Sequence, residues 1–167
     1  MKKILIVGKR SLLSHNLEKF LKKKYIVTRV SFPRIIKNNL FLYNFNFIIN
    51  CTFNVNIKDY RKTSDYILAN LLVNKKITYI MISSCKVYGT SKKFFFSETI
   101  KCKPKSIYGK LKFKIEKQVK KILKKKVVIV RPSNIIQFDI RKEIKIKTFI
   151  NKILTDLLKK KKNIHTN

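Results

Sequence analysis

Two segments carry side chains suited to moving a proton. Ser83-Ser84-Cys85-Lys86-Val87-Tyr88-Gly89 ends an apolar run, and Ser106-Ile107-Tyr108-Gly109-Lys110-Leu111-Lys112 opens a helical one, with Tyr108 24 positions after Ser84. Tyr108 and Lys112 stand at i and i+4, neighbours on one face of a helix. A phenol with a pKa of about 10 is a poor acid or base at neutral pH, and an adjacent ammonium stabilises the phenolate and brings it into range. A nearby hydroxyl such as that of Ser84 would hydrogen-bond the substrate oxygen while Tyr108 passes the proton. The competing reading is chance, because Y-x-x-x-K recurs on the solvated faces of so lysine-rich a chain.

A third segment, Gly8-Lys9-Arg10-Ser11-Leu12-Leu13-Ser14, aligns with the phosphate-binding pattern G-x-x-G-x-x-G, with glycine only at position 8 and serines at the other two. Glycines let backbone approach a pyrophosphate, and a helix N-terminus supplies N–H donors and partial positive charge. Serine is small enough to stand in, at the risk of weaker binding. The alternative is a plain turn capped by Ser11.

These residues need a scaffold, and the hydrophobic pattern supplies one. KILIVG (3–8), YIVTRV (25–30), FIINCTF (47–53), ITYIMIS (77–83) and Val127 to Val130 read as short strands, the first and last of them apolar enough for burial on both faces of a parallel sheet. Leu12, Leu13, Leu17, Phe20 and Leu21 recur at helical spacing, as do Ile67, Leu68, Leu71 and Leu72. A longer stripe, Leu111, Ile115, Val119, Ile122 and Leu123, marks a helix from about Ser106 to Lys125. A last amphipathic helix is expected on Ile146, Phe149, Ile150, Ile153, Leu154, Leu157 and Leu158. Between 31 and 45 no helical period emerges, so that crossover is expected to be reduced. The order β-α-β-β-α-β-α-β predicts an α/β fold, a doubly wound, mostly parallel sheet of Rossmann type. One domain over 1–158 and a basic polar tail over 159–167 are expected. In such a sheet ligands sit beyond the carboxyl ends of the strands, where all three segments fall.

Composition narrows the classes. The chain has 167 residues, 41 Lys and Arg against 8 Asp and Glu, and a formal net charge of +33, yet 45% of it is hydrophobic. That is enough apolar material for a core, which excludes a disordered basic tail. The apolar runs are far shorter than the ~18 residues of a membrane span, and no signal-peptide pattern opens the sequence, so a soluble, cytoplasmic protein is expected. Cys51, Cys85 and Cys102 match neither a disulfide framework nor a CxxC metal pair, and no metal site is expected. The charge would draw polyanions nonspecifically. However, Lys outnumbers Arg 35 to 6 and is spread through the whole chain. A dedicated phosphate reader would favour bidentate Arg, and compositional bias explains the spread more simply.

Taken together, SSCKVYG (83–89), YGKLK (108–112), RPSN (131–134) and the IINCT strand end (48–52) resemble the extended short-chain dehydrogenase/reductase family over roughly residues 3 to 138. The likeness is strongest to NAD(P)-dependent nucleotide-sugar epimerases, dehydratases and 4-keto-sugar reductases. It implies Ser84, Tyr108 and Lys112 as the catalytic set, with Lys112 also holding the nicotinamide ribose. It implies Gly8, Ser11, Leu12, Leu13 and Ser14 at the pyrophosphate, Asn50, Cys51 and Thr52 beside the cofactor, and Asn134 on the sugar nucleotide. The cofactor would be NAD or NADP. No acidic residue follows the second strand to grip a ribose 2′-hydroxyl, while Arg29 or Arg34 would suit a 2′-phosphate. Gln137 replaces a family glycine, and only about 30 residues follow Ile136, where the family carries a substrate domain. The resemblance thus leaves two alternatives, a shortened, non-catalytic relative and a basic polyanion-binding protein. A homo-oligomer is compatible with the family but rests on no particular residue.

Overall fold

The computed structural model describes residues 1–54, 56–89 and 97–133. Five strands, β1 (Lys3–Val7), β2 (Ile26–Val30), β3 (Phe47–Asn50), β4 (Thr78–Ile82) and β5 (Val127–Val130), form one parallel sheet in the order β2-β1-β3-β4-β5. Helices α1 (Leu12–Leu21), α2 (Phe32–Lys37), α3 (Ser64–Leu72) and α4 (Ile107–Leu123) make the crossovers. The chain winds outward from β1 in one direction to β2 and in the other through β3 to β5. The switch point therefore lies between the carboxyl ends of β1 and β3, where this class of sheet opens a crevice.

Side-chain alternation along β1 divides the interior in two. Leu5 and Val7 join Ile48, Tyr79 and Met81 and pack against Leu68 and Leu72 of α3 and Ile115, Val119 and Leu123 of α4. Ile4 and Ile6 join Ile49 on the opposite face, against Leu17 and Leu21 of α1. Burial on both faces explains why β1 reads as an unbroken apolar run rather than an alternating one.

The predicted element order holds across the described residues, with one addition. Between β2 and β3 the chain forms the six-residue helix α2, with proline in its first turn, then a 3₁₀ turn over Leu40–Asn44. Six residues are too few to display a helical period, but Pro33 fixes a helical φ where the missing N–H goes unused, and Ile35 fills the core. The strands are shorter than the apolar runs. Gly8, Cys51, Thr52, Phe53 and Ser83 fall just past strand ends and turn there. The expected helix around 146–158, the boundary at 158 and the basic tail lie outside the described residues.

Candidate functional site

The first turn, between β1 and α1, is built on Gly8, which has φ +113°, a conformation that side chains rarely adopt. A Cβ at this position would lie 2.9 Å from Thr52 Cγ2 and 3.2 Å from the Cys51 carbonyl carbon, so the end of β3 presses directly against the turn. Gly8 and Lys9 both donate their N–H to Val30 O, at 2.8 and 3.2 Å. Ser14 is fully buried, and its hydroxyl lies 2.7 Å from Gly8 O and 2.8 Å from Ser11 O, to which it donates. The serine thus occupies the packing position of the third glycine by satisfying turn carbonyls. Ser11 is the N-cap of α1 and makes no side-chain cap hydrogen bond. No side chain caps the first-turn amides of α1.

The second corner is where β4 ends and α4 begins. Ser84 opens a 3₁₀ turn, Cys85–Val87, accepting from Lys86 N at 3.2 Å, and Ser106 caps α4 by accepting from Gly109 N at 3.0 Å. Gly109 controls the approach of the two, because a Cβ there would stand 2.5 Å from Lys86 O. With that gap closed, Tyr108 in the first turn of α4 stands beside the Ser84 turn. Tyr108 is half-buried, and its ring meets Phe53 edge-to-face at 5.4 Å.

Lys112 departs from expectation. Its side chain is 2% exposed and turns inward, with Nζ donating to Ile82 O at 2.9 Å, 3.6 Å from Asp65 Oδ2 and 3.9 Å from the centroid of the Phe53 ring. Burial pushes its pKa down, and the Asp65 carboxylate pushes it back up. The expected depression of Tyr108 is absent from this geometry. Burial raises the phenol above its ordinary value, opposed by the nearby Ser84 hydroxyl. The i, i+4 spacing places both residues on one helix face, as predicted, but Asp65 takes up the ammonium.

Asn50 also faces inward. Its side chain donates to Asp65 Oδ1 at 2.7 Å and Ser64 Oγ at 3.0 Å and accepts from Thr52 N at 3.1 Å. It organises the Cys51–Thr52 turn from below, so this turn meets Gly8 while the Asn50 amide does not line the crevice. The Cys51 thiol is pushed up to about 12 by burial and by the nearby Asp65 charge, which keeps it inert near neutral pH. His15 is exposed on α1. Arg29 pairs with Glu18 and donates to Lys9 O at 3.0 Å, which directs its guanidinium back onto the protein. Tyr88 is buried and accepts from Arg131 at 3.1 Å, while Arg131 also makes a bidentate pair with Glu116 at 2.7 and 3.1 Å. The first residue of RPSN therefore ties β5 to α4 and to the Ser84 turn. Asn134, Gln137 and the Phe94–Phe96 cluster lie outside the described residues.

Asp65, Phe53 and Gly109 are the site residues that sequence reasoning passes over. Asp65 left a signal. It precedes Leu68, Ala69 and Leu72 at helical spacing, and a carboxylate on the apolar stripe of a chain with 8 acidic residues needs a partner. Among the described residues no group of three His, Cys, Asp or Glu side chains could hold a metal ion, and no helix is long and apolar enough to cross a membrane.

A parallel, doubly wound sheet with a glycine turn at its switch point and a Ser-Tyr pair at the next strand end defines a Rossmann-type domain. The model of the NAD dependent epimerase/dehydratase family matches residues 50–165, and the chain belongs to this family. Among solved structures it is similar to a dTDP-4-dehydrorhamnose reductase from Clostridium acetobutylicum, with 26% identity, TM-score 0.65, and coverage of 77% of this chain and 52% of that one. A dTDP-4-dehydrorhamnose reductase from Bacillus anthracis, in complex with NADP, is 20% identical with TM-score 0.66 over 80% of this chain and 54% of that one. A dTDP-glucose 4,6-dehydratase from Bacillus anthracis, in complex with NAD, is 15% identical with TM-score 0.72 over 95% and 62%. The chain thus spans little more than half the length of these structures. No curated protein matches it.

Proposed function

We propose that this chain is the cofactor-binding part of an NAD- or NADP-dependent enzyme acting on a nucleotide sugar, with Tyr108 as its proton-transfer group. The observation that carries this reading is the close approach of α4 to the Ser84 turn, which brings Tyr108 beside Ser84 at the carboxyl edge of the sheet. The pyrophosphate half of the groove fits a dinucleotide. Gly8 leaves no side chain between the turn and Thr52, Ser14 is satisfied internally, and the first-turn amides of α1, including those of Leu12 and Leu13, face no capping side chain. A bound nicotinamide would supply hydride transfer at its C4. Ser84 orients the substrate hydroxyl or carbonyl, and Tyr108 removes or returns its proton. Burial raises the Tyr108 phenol, and the nearby Ser84 hydroxyl opposes that rise. Lys112 would hold the nicotinamide ribose by family likeness; its ammonium lies 3.9 Å from the centroid of the Phe53 ring. Asn134 meets the sugar nucleotide by family likeness alone.

Calorimetric titration of the full chain with NADH and NADPH at elevated salt, which suppresses nonspecific attraction to the lysines, tests the cofactor half. Micromolar binding of either is expected. No heat and no thermal stabilisation with both would overturn the reading in favour of a non-catalytic relative. Tyr108→Phe is expected to keep cofactor binding and lose about 10²- to 10⁴-fold in turnover of a 4-keto nucleotide sugar.

A further inference from the structure

Asp65 is a buried carboxylate for which the proton-transfer scheme has no use. It stands in the first turn of α3, where the helix N-terminus favours an anion. The Tyr79 hydroxyl donates to its Oδ1 at 2.6 Å, and Asn50 Nδ2 donates to the same oxygen at 2.7 Å. Oδ2 is buried without a hydrogen-bond partner and lies 3.6 Å from Lys112 Nζ. An ammonium so deeply buried sheds its proton unless a negative charge faces it. The groups around Lys112 are Asp65 from α3, Glu116 one turn along α4, Tyr108 one turn back, Tyr79 from β4, and the Phe53 ring. Glu116 is already held by Arg131 in a bidentate pair.

We propose that Asp65 is a positioning residue, its carboxylate clamped by Tyr79 and Asn50 so that Oδ2 holds the Lys112 side chain against the Ile82 carbonyl and keeps it an ammonium at the carboxyl edge of the sheet. The inference rests on the reading of Lys112 as the lysine that meets the cofactor ribose. Asp65 acts through Lys112 and touches neither substrate nor cofactor.

The test follows the Lys112 ammonium directly, in protein carrying ¹³C at lysine Cε, with its signal assigned by its loss in Lys112→Arg. In Asp65→Asn the titration midpoint of Lys112 is expected to fall, and affinity for NADH or NADPH to weaken at lower pH than in the unsubstituted protein. An unchanged midpoint would overturn the proposal. Should Asp65→Asn not fold, Tyr79→Phe withdraws one donor from the carboxylate and leaves the charge pair in place. The midpoint is then expected to move in the same direction by less, and no movement overturns the proposal. The unsubstituted protein gives a further check, since a neutral Lys112 at pH 7 is incompatible with it. The two readings fail separately. Loss of the midpoint shift with cofactor binding intact removes Asp65 alone. A midpoint shift without any cofactor binding removes the cofactor role and leaves the hold of Asp65 on Lys112 standing.

Discussion

The Gly8 turn and the tyrosine–lysine corner sit at the same edge of one sheet and relate to their residue patterns in opposite ways. In the turn the residue types have changed and the geometry survives, because Ser14 donates its hydroxyl to turn carbonyls where a glycine would pack. In the corner the residue types match the pattern, and the Lys112 side chain turns inward onto Asp65 beside Phe53. The lesson is that a pattern of letters and the environment of those letters vary independently. A substituted pattern can build a satisfied turn, and a matching one does not say where a long side chain points.

The largest effect is expected in the corner. Lys112→Met leaves Asp65 as an uncompensated buried charge and should cost about 3–5 kcal/mol of stability in a denaturant titration. Adding Asp65→Asn should recover much of that loss, and failure to do so would mean that the pair is not coupled. In the turn, Gly8→Ala forces a Cβ into the positive-φ region and against Thr52, at a cost of about 1–3 kcal/mol. Thr52→Ser removes the clashing methyl and should recover part of the loss but not the backbone strain. A full recovery would show that crowding alone requires the glycine. Ser14→Ala is the gentlest probe. Withdrawing one buried donor from two carbonyls should lower stability by about 1 kcal/mol, and an unchanged melting temperature would mean that the hydroxyl does not hold the turn.

The sheet was legible because β1, buried on both faces, writes itself as an apolar run, and α4 because its stripe persists over four turns. Strand β5, expected to be buried on both faces, is an edge strand among the described residues and exposes Val128 and Val130. Helix α2 was not legible, since six residues carry no period and only Ser31-Phe32-Pro33 marks its start. The nearness of Ser84 and Tyr108 follows from their places at the end of β4 and the start of α4, both of which the hydrophobic pattern marks. The direction of Lys112 does not follow, because helical spacing assigns a face but not the course of a long side chain. That course is set by Asp65 and Tyr79, which are 14 positions apart and meet only across the packing of α3 on β4. The inward turn of Asn50 was hidden for the same reason.

The bonding of the Gly8 turn has a dynamic consequence. Gly8 donates its N–H to Val30 O on one side, and Cys51 donates to Val7 O on the other. A loop so tied to both neighbouring strands has no low-energy opening of its own. In deuterium exchange the Gly8 and Cys51 amides should therefore be released together with the central strands, at the slow rate of the whole sheet, and not at the rate of a fluctuating surface turn.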